Sequence, residues 1–127
     1  MSFIKRLLSK LFWRRKTCTR ANRVYHNKLV RDRIPEIILS KGENCDFDFL
    51  SKKAFLKALE AKLDEEVAEY HKNPSVEELA DIFTVMYYLA HSIDSNLNEV
   101  SEFALNKLDK RGGFEHRIFL KWSEEKQ

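Results

Sequence analysis

The stretch KLDEEVAEYHKNPSVEELAD, residues 62–81, places seven carboxylates in twenty residues and keeps helical spacing among the apolar positions between them. Leu63, Val67 and Tyr70 continue a stripe that starts at Leu56 and Leu59, the pattern of one face of an α-helix. Asn73 and Pro74 break that helix. Ser75, with Glu78 three residues later, has the form of a capping box opening a second one. Two helices joined by so short a break run antiparallel. The expectation is therefore an all-α fold, an antiparallel helical bundle.

Working outward, the first helix of this pair has Ser51 as its N-cap and runs through about residue 71. The second, from 76 to about 93, is apolar nearly all round: Leu79, Phe83, Met86 and Tyr87 lie on one side, and Ile82, Val85 and Leu89 on the other. A helix with two apolar sides in so small a domain points to a homo-oligomer interface. A last helix, 97–110, ends at Gly112 and Gly113, and the following FEHRIFLKW reads as a short extended tail packed on the bundle. Upstream, Pro35 opens a short helix over 35–41 that Gly42 ends. Three Gly and two Pro in 127 residues suit long helices.

Charge is divided unevenly. Residues 1–33 carry eleven Lys or Arg against Asp32 alone, while residues 60–81 carry eight acids against Lys62 and Lys72. The opening MSFIKRLLSKLFWRRK sets Phe3, Ile4, Leu7, Leu8, Leu11 and Phe12 opposite Lys5, Arg6, Ser9 and Lys10, a basic amphipathic helix with Trp13 at its end. Charges interrupt it too often for a membrane span or a secretory signal. It can lie on an anionic membrane surface through residues 3–13, dock on protein, or serve as a mitochondrial presequence. Three segments are predicted: an arm and linker over 1–24, a catalytic-sized domain over 25–120 and a tail over 121–127. The expected location is the cytoplasm, membrane-peripheral if the arm binds lipid. No specific nucleic-acid partner is expected, because no known binding module accompanies the basic arm. Cys18 and Cys45 have no partners at zinc-finger spacing and read as unrelated thiols.

Glu66 and Glu69 stand three apart on one helix, and Glu78 and Asp81 three apart on the next. Placed on the Leu56–Leu63–Val67 stripe, Glu66 falls at the inward edge, Glu69 further round and Glu65 nearly opposite. Carboxylates gathered in a partly buried place repel one another and lose hydration. A divalent cation removes both costs, and oxygen-only donors favour Mg²⁺, with Mn²⁺ as a substitute. The plain alternative is a solvated Glu/Lys-rich surface, with Lys62 and Glu66 as an ordinary i,i+4 pair and Glu77 and Glu78 suiting the helix dipole.

Taken together, KLxEExxE (62–69) and EELAD (77–81) resemble the ExxE and ExxD signature of the all-α nucleoside triphosphate pyrophosphohydrolases, the MazG-like superfamily that includes phosphoribosyl-ATP pyrophosphohydrolase. YHNKLVRDRIPEII (25–38) and KLDKRGGFEHRIFL (107–120) resemble one branch of it. The resemblance implies an oligomeric helical bundle that binds Mg²⁺ and hydrolyses a nucleoside triphosphate, NTP or dNTP, to the monophosphate and pyrophosphate. It implies Glu66, Glu69, Glu78 and Asp81 as metal ligands, and Glu65 beside them as a ligand to a further ion or the residue orienting the attacking water. Phosphates need cations, and two sets are candidates: Lys28, Arg31 and Arg33, and Lys107 with Arg111, four apart beside Gly112 and Gly113. Only eight residues separate Glu69 from Glu78, fewer than is usual in the superfamily, which requires a tight turn at Asn73 and Pro74. Phosphoribosyl-ATP hydrolysis is the alternative activity. A non-catalytic, membrane-peripheral helical module is the alternative class.

Overall fold

The computed structural model describes residues 22–127, so the expected amphipathic arm, through residue 21, lies outside the described residues. Among those described, the regular elements are four α-helices and no strand: α1 (Ile34–Ser40), α2 (Lys52–Lys72), α3 (Val76–Ser92) and α4 (Leu97–Arg111). The class is all-α, as the periodicity predicts. No helix among them is long and apolar enough to cross a membrane.

Each boundary has a local cause. Pro35 stands in the first turn of α1, where its missing N–H leaves no intrahelical bond unmade and its fixed φ suits the helix. That helix ends in a Schellman motif: Gly42, at φ +81°, donates to the Leu39 carbonyl at 3.1 Å, and Glu43 to that of Ile38 at 3.3 Å. Ser51 caps α2, its hydroxyl accepting from the Ala54 N–H at 3.2 Å. Ser75 and Asn96 cap α3 and α4 by accepting from the N–H groups of Glu78 and Glu99. At the end of α3 Asp94 takes the position Gly42 holds in α1, with φ +57°, while Ser95 donates to the Ala90 carbonyl at 2.9 Å. Short polar side chains tolerate that conformation, which is why no glycine marks this turn.

The described residues divide into two compact units, 22–62 and 63–127, with the boundary inside α2. In the first, Leu59 is the fully buried side chain at 2% exposure, and Pro35 is also buried. The Cys45 thiol donates to the Pro35 carbonyl at 3.9 Å, and burial, reinforced by the charge of Asp46, pushes its pKa up. In the second, Val85 and Ala90 are buried, and α3 packs on α4.

The two apolar sides of α3 differ, and the tail departs from expectation. One apolar side of α3 is covered, Val85 fully and Ile82 and Leu89 in part. The other is open, with Leu79 51%, Phe83 55% and Tyr87 41% exposed. The tail does not pack: every residue from 101 onward is exposed, and no strand forms. Gly112, at φ +80°, ends α4, and a turn in which Arg117 donates to the Phe114 carbonyl breaks the extended run before it can lie along a helix.

Candidate metal centre

The short break over residues 73–75 turns the chain so that α2 and α3 bring acids together. One carboxylate oxygen from each of Glu66, Glu78 and Asp81 lies within 4.8 Å of the others. Glu66 is 7% exposed, the buried charged residue among those described, while Glu78 and Asp81 are half-buried. Its position follows from the α2 stripe. Glu66 lies seven residues, about two turns, after Leu59 and three residues, less than one turn, after Leu63, so it falls on the covered side of the helix. Among the described residues no buried side-chain oxygen or nitrogen lacks a hydrogen-bonding partner, and Glu66 and Asp81 each have an interaction.

The start of α3 positions the other two. The Ser75 hydroxyl accepts from the Glu78 N–H at 3.2 Å, which fixes the first turn and sets the Glu78 and Asp81 side chains three residues apart on it. Desolvation raises the Glu78 carboxyl pKa, and the charges of Asp81, Glu66, Glu69 and Glu77 raise it further. Lost hydration first, and neighbouring negative charge after it, thus disfavour the ionised form of Glu78.

The remaining candidates divide. Glu69 is exposed and outside the group of three, although its charge reaches Glu78. Glu65 is half-buried and makes an interaction of its own. Lys28, Arg31 and Arg33 belong to the first unit, whereas the three acids belong to the second. Lys28 and Arg31 are engaged, and the Arg33 guanidinium stands 3.5 Å from Glu36. Lys107 and Arg111 are exposed near the end of α4. Lys107 also lines an open groove with Ile93 and Phe103, a feature that helical periodicity does not reveal because it is built by the α3–α4 turn.

Three carboxylates from two helices, one of them buried, form a donor set that fits a hard divalent cation such as Mg²⁺ or Mn²⁺. No nitrogen or sulfur donor joins the set, so it does not match the preference of Zn²⁺.

No family model and no solved structure matches the chain. An uncharacterized protein of Mycolicibacterium smegmatis is 55% identical to it over 42 residues, which is 33% of this chain and 43% of that protein. The chain thus spans less than half the length of the curated relative it matches.

Proposed function

We propose that this chain is a Mg²⁺-dependent nucleotide pyrophosphohydrolase, an antiparallel helical bundle that converts a nucleoside triphosphate to its monophosphate and pyrophosphate. The observation that carries the reading is the convergence of Glu66, Glu78 and Asp81 within 4.8 Å, two of the three on the ExxD spacing and the third on the ExxE spacing of the superfamily the sequence resembles.

Glu66, Glu78 and Asp81 would hold the ion, with Glu69 next to them on α2 as a further ligand. When bound, Mg²⁺ supplies positive charge against the phosphates and lowers the pKa of a coordinated water. The rest falls to the chain's own groups. Glu65, one residue before the buried Glu66, is the candidate to orient the attacking water by accepting its hydrogen bond. Lys107 and Arg111, one turn apart on α4, are candidates to neutralise phosphate oxygens, and the bare backbone of Gly112 and Gly113 leaves room for close approach. The open side of α3 supports self-association of the enzyme.

The test is pyrophosphate release from a panel of nucleoside triphosphates, with Mg²⁺ and with EDTA, for the wild type and Glu66→Gln. Metal-dependent release that falls by at least about a hundredfold in the variant is expected, since second partners of a metal site already contribute ten to a hundredfold. Release that survives EDTA, or is unchanged in Glu66→Gln, sinks the reading. Turnover of phosphoribosyl-ATP far above that of every ordinary triphosphate would move the assignment to that substrate.

A further inference from the structure

The side of α3 that carries the acids continues past them. Glu77, Asp81, Thr84 and Tyr88 follow one another at three- and four-residue spacings, so they form one stripe along the helix. Asp81 and Tyr88, seven residues apart, point in nearly the same direction and stand about 10 Å apart along the axis. Thr84 between them is small, and its hydroxyl donates back to the Ala80 carbonyl at 2.9 Å, which keeps it close to the helix. Tyr88 is 45% exposed, and its direction lies well away from that of Phe83 on the open apolar face.

Two features aim and hold the ring. Long side chains on a helix lean toward its N-terminus, so the ring of Tyr88 lies over the Thr84 turn, on the way to Asp81. The Tyr87 and Tyr88 rings meet edge to face, with centroids 5.0 Å apart and planes at 81°, an arrangement that aromatic pairs favour. Tyr87 is backed in turn by the His91 imidazole, its centroid 4.4 Å away, and the Nδ1–H of His91 donates to the Tyr87 carbonyl at 2.9 Å. A ring restrained in this way loses little freedom when a ligand lies against it.

We propose that Tyr88 receives the flat face of the substrate's nucleobase while the phosphates sit at Glu66, Glu78 and Asp81, an inference that rests on the pyrophosphohydrolase reading and adds how the nucleoside end is held. Roughly six bonds of about 1.5 Å separate the α-phosphorus of a nucleotide from its glycosidic nitrogen. The ribose therefore bridges the interval from Asp81 to Tyr88, across Thr84. Every base has a π-face, so a stacking contact separates nucleotides from inorganic polyphosphates without choosing among bases. The substrate class assigned by this contact is nucleoside triphosphates irrespective of base.

The test measures binding of the two products, AMP and inorganic pyrophosphate, to the full chain with Mg²⁺ by calorimetry, so that neither probe turns over. Tyr88→Ala is expected to weaken AMP binding by about five- to a hundredfold, the range for one base on one aromatic ring, and to leave pyrophosphate binding unchanged. Tyr88→Phe keeps the ring and should bind AMP as wild type does. In a Trp13→Phe/Trp122→Phe background, Tyr88→Trp gives a second readout: its emission is quenched by AMP and not by pyrophosphate. An equal loss of both products in Tyr88→Ala would mark a structural role and overturn the proposal. AMP affinity unchanged in Tyr88→Ala, or a Tyr88→Trp emission indifferent to AMP, would overturn it as well, while Mg²⁺-dependent pyrophosphate release by the wild type would leave the parent reading standing. A wild type that binds neither product and releases pyrophosphate from no triphosphate overturns both.

Discussion

The hydroxyl of Ser75 accepts a hydrogen bond from the backbone N–H of Glu78 at 3.2 Å, and the carboxylate of that same Glu78 meets Glu66 and Asp81 in the acidic cluster. The cap that starts α3 is thus one residue's side chain holding the backbone of a candidate metal ligand. Ser75→Ala leaves that N–H without its side-chain partner and is expected to destabilise the chain by about 1 kcal/mol. It should also reduce the rise in melting temperature on adding Mg²⁺, because the first turn of α3 frays where two ligands stand. Thermal melts with and without Mg²⁺ check both, and a variant with an undiminished Mg²⁺ response would separate the cap from the site.

Glu78 gives the pH dependence a definite sign. Its carboxyl pKa is raised in the folded chain, by desolvation first and by Asp81, Glu66, Glu69 and Glu77 after that. The folded state therefore holds the proton more tightly than the unfolded chain does. That contribution to stability is full below the unfolded value and is lost as pH rises through the raised folded value. Without metal, Glu78→Gln should melt at the same temperature as wild type or lower near pH 4, and gain on it at pH 7.5. Added Mg²⁺ should reverse the order at pH 7.5, since a ligand that binds only the folded form raises its melting temperature. An EDTA-treated variant that loses ground to wild type on going from pH 4 to pH 7.5 would contradict the electrostatic account.

Helices α2 and α3 were legible from sequence because their signals are local and agree. Ser51, Ser75, Asn73 and Pro74 mark ends, and Leu56, Leu59 and Leu63 mark the covered side on which Glu66 lies, whereas Val67, which the same stripe placed inward, is 36% exposed. Helix ends fell within a residue or so of the observed ones for the same reason. Asp94 escaped notice because a left-handed residue ordinarily signals itself as glycine, and here a short polar side chain does that work. The tail misled because alternation and aromatic content resemble a packed strand, whereas packing depends on a partner surface that spacing cannot supply. Glu69 stood equal to Glu66 by motif. Burial separates them, and burial depends on which turn of α2 is covered.

Leu59 anchors the first unit at 2% exposure, the fully buried side chain among those described. Leu59→Ala removes its packing and leaves a cavity that its neighbours fill only in part, a loss of about 2–5 kcal/mol. Denaturant unfolding should show a lower midpoint with an unchanged slope. A change below about 1 kcal/mol would mean that the surroundings of Leu59 collapse around the smaller residue.

Phe83 tests the open side of α3. It stands 55% exposed between Leu79 and Tyr87, at four-residue spacings that put all three on one helix face, while Val85 on the opposite side is buried. Placing a charge at Phe83 therefore disturbs little of the packing within the chain, and Phe83→Glu is expected to shift its melting temperature by no more than a few degrees at dilute concentration. Self-association is another matter, because a face buried between copies would have to desolvate the new carboxylate. Sedimentation of Phe83→Glu should show association weakened by at least about tenfold, a difference of about 1.4 kcal/mol. If the variant associates as wild type does while its fold is intact, the open side of α3 takes no part in the oligomer, and the apolar residues along it serve some other surface.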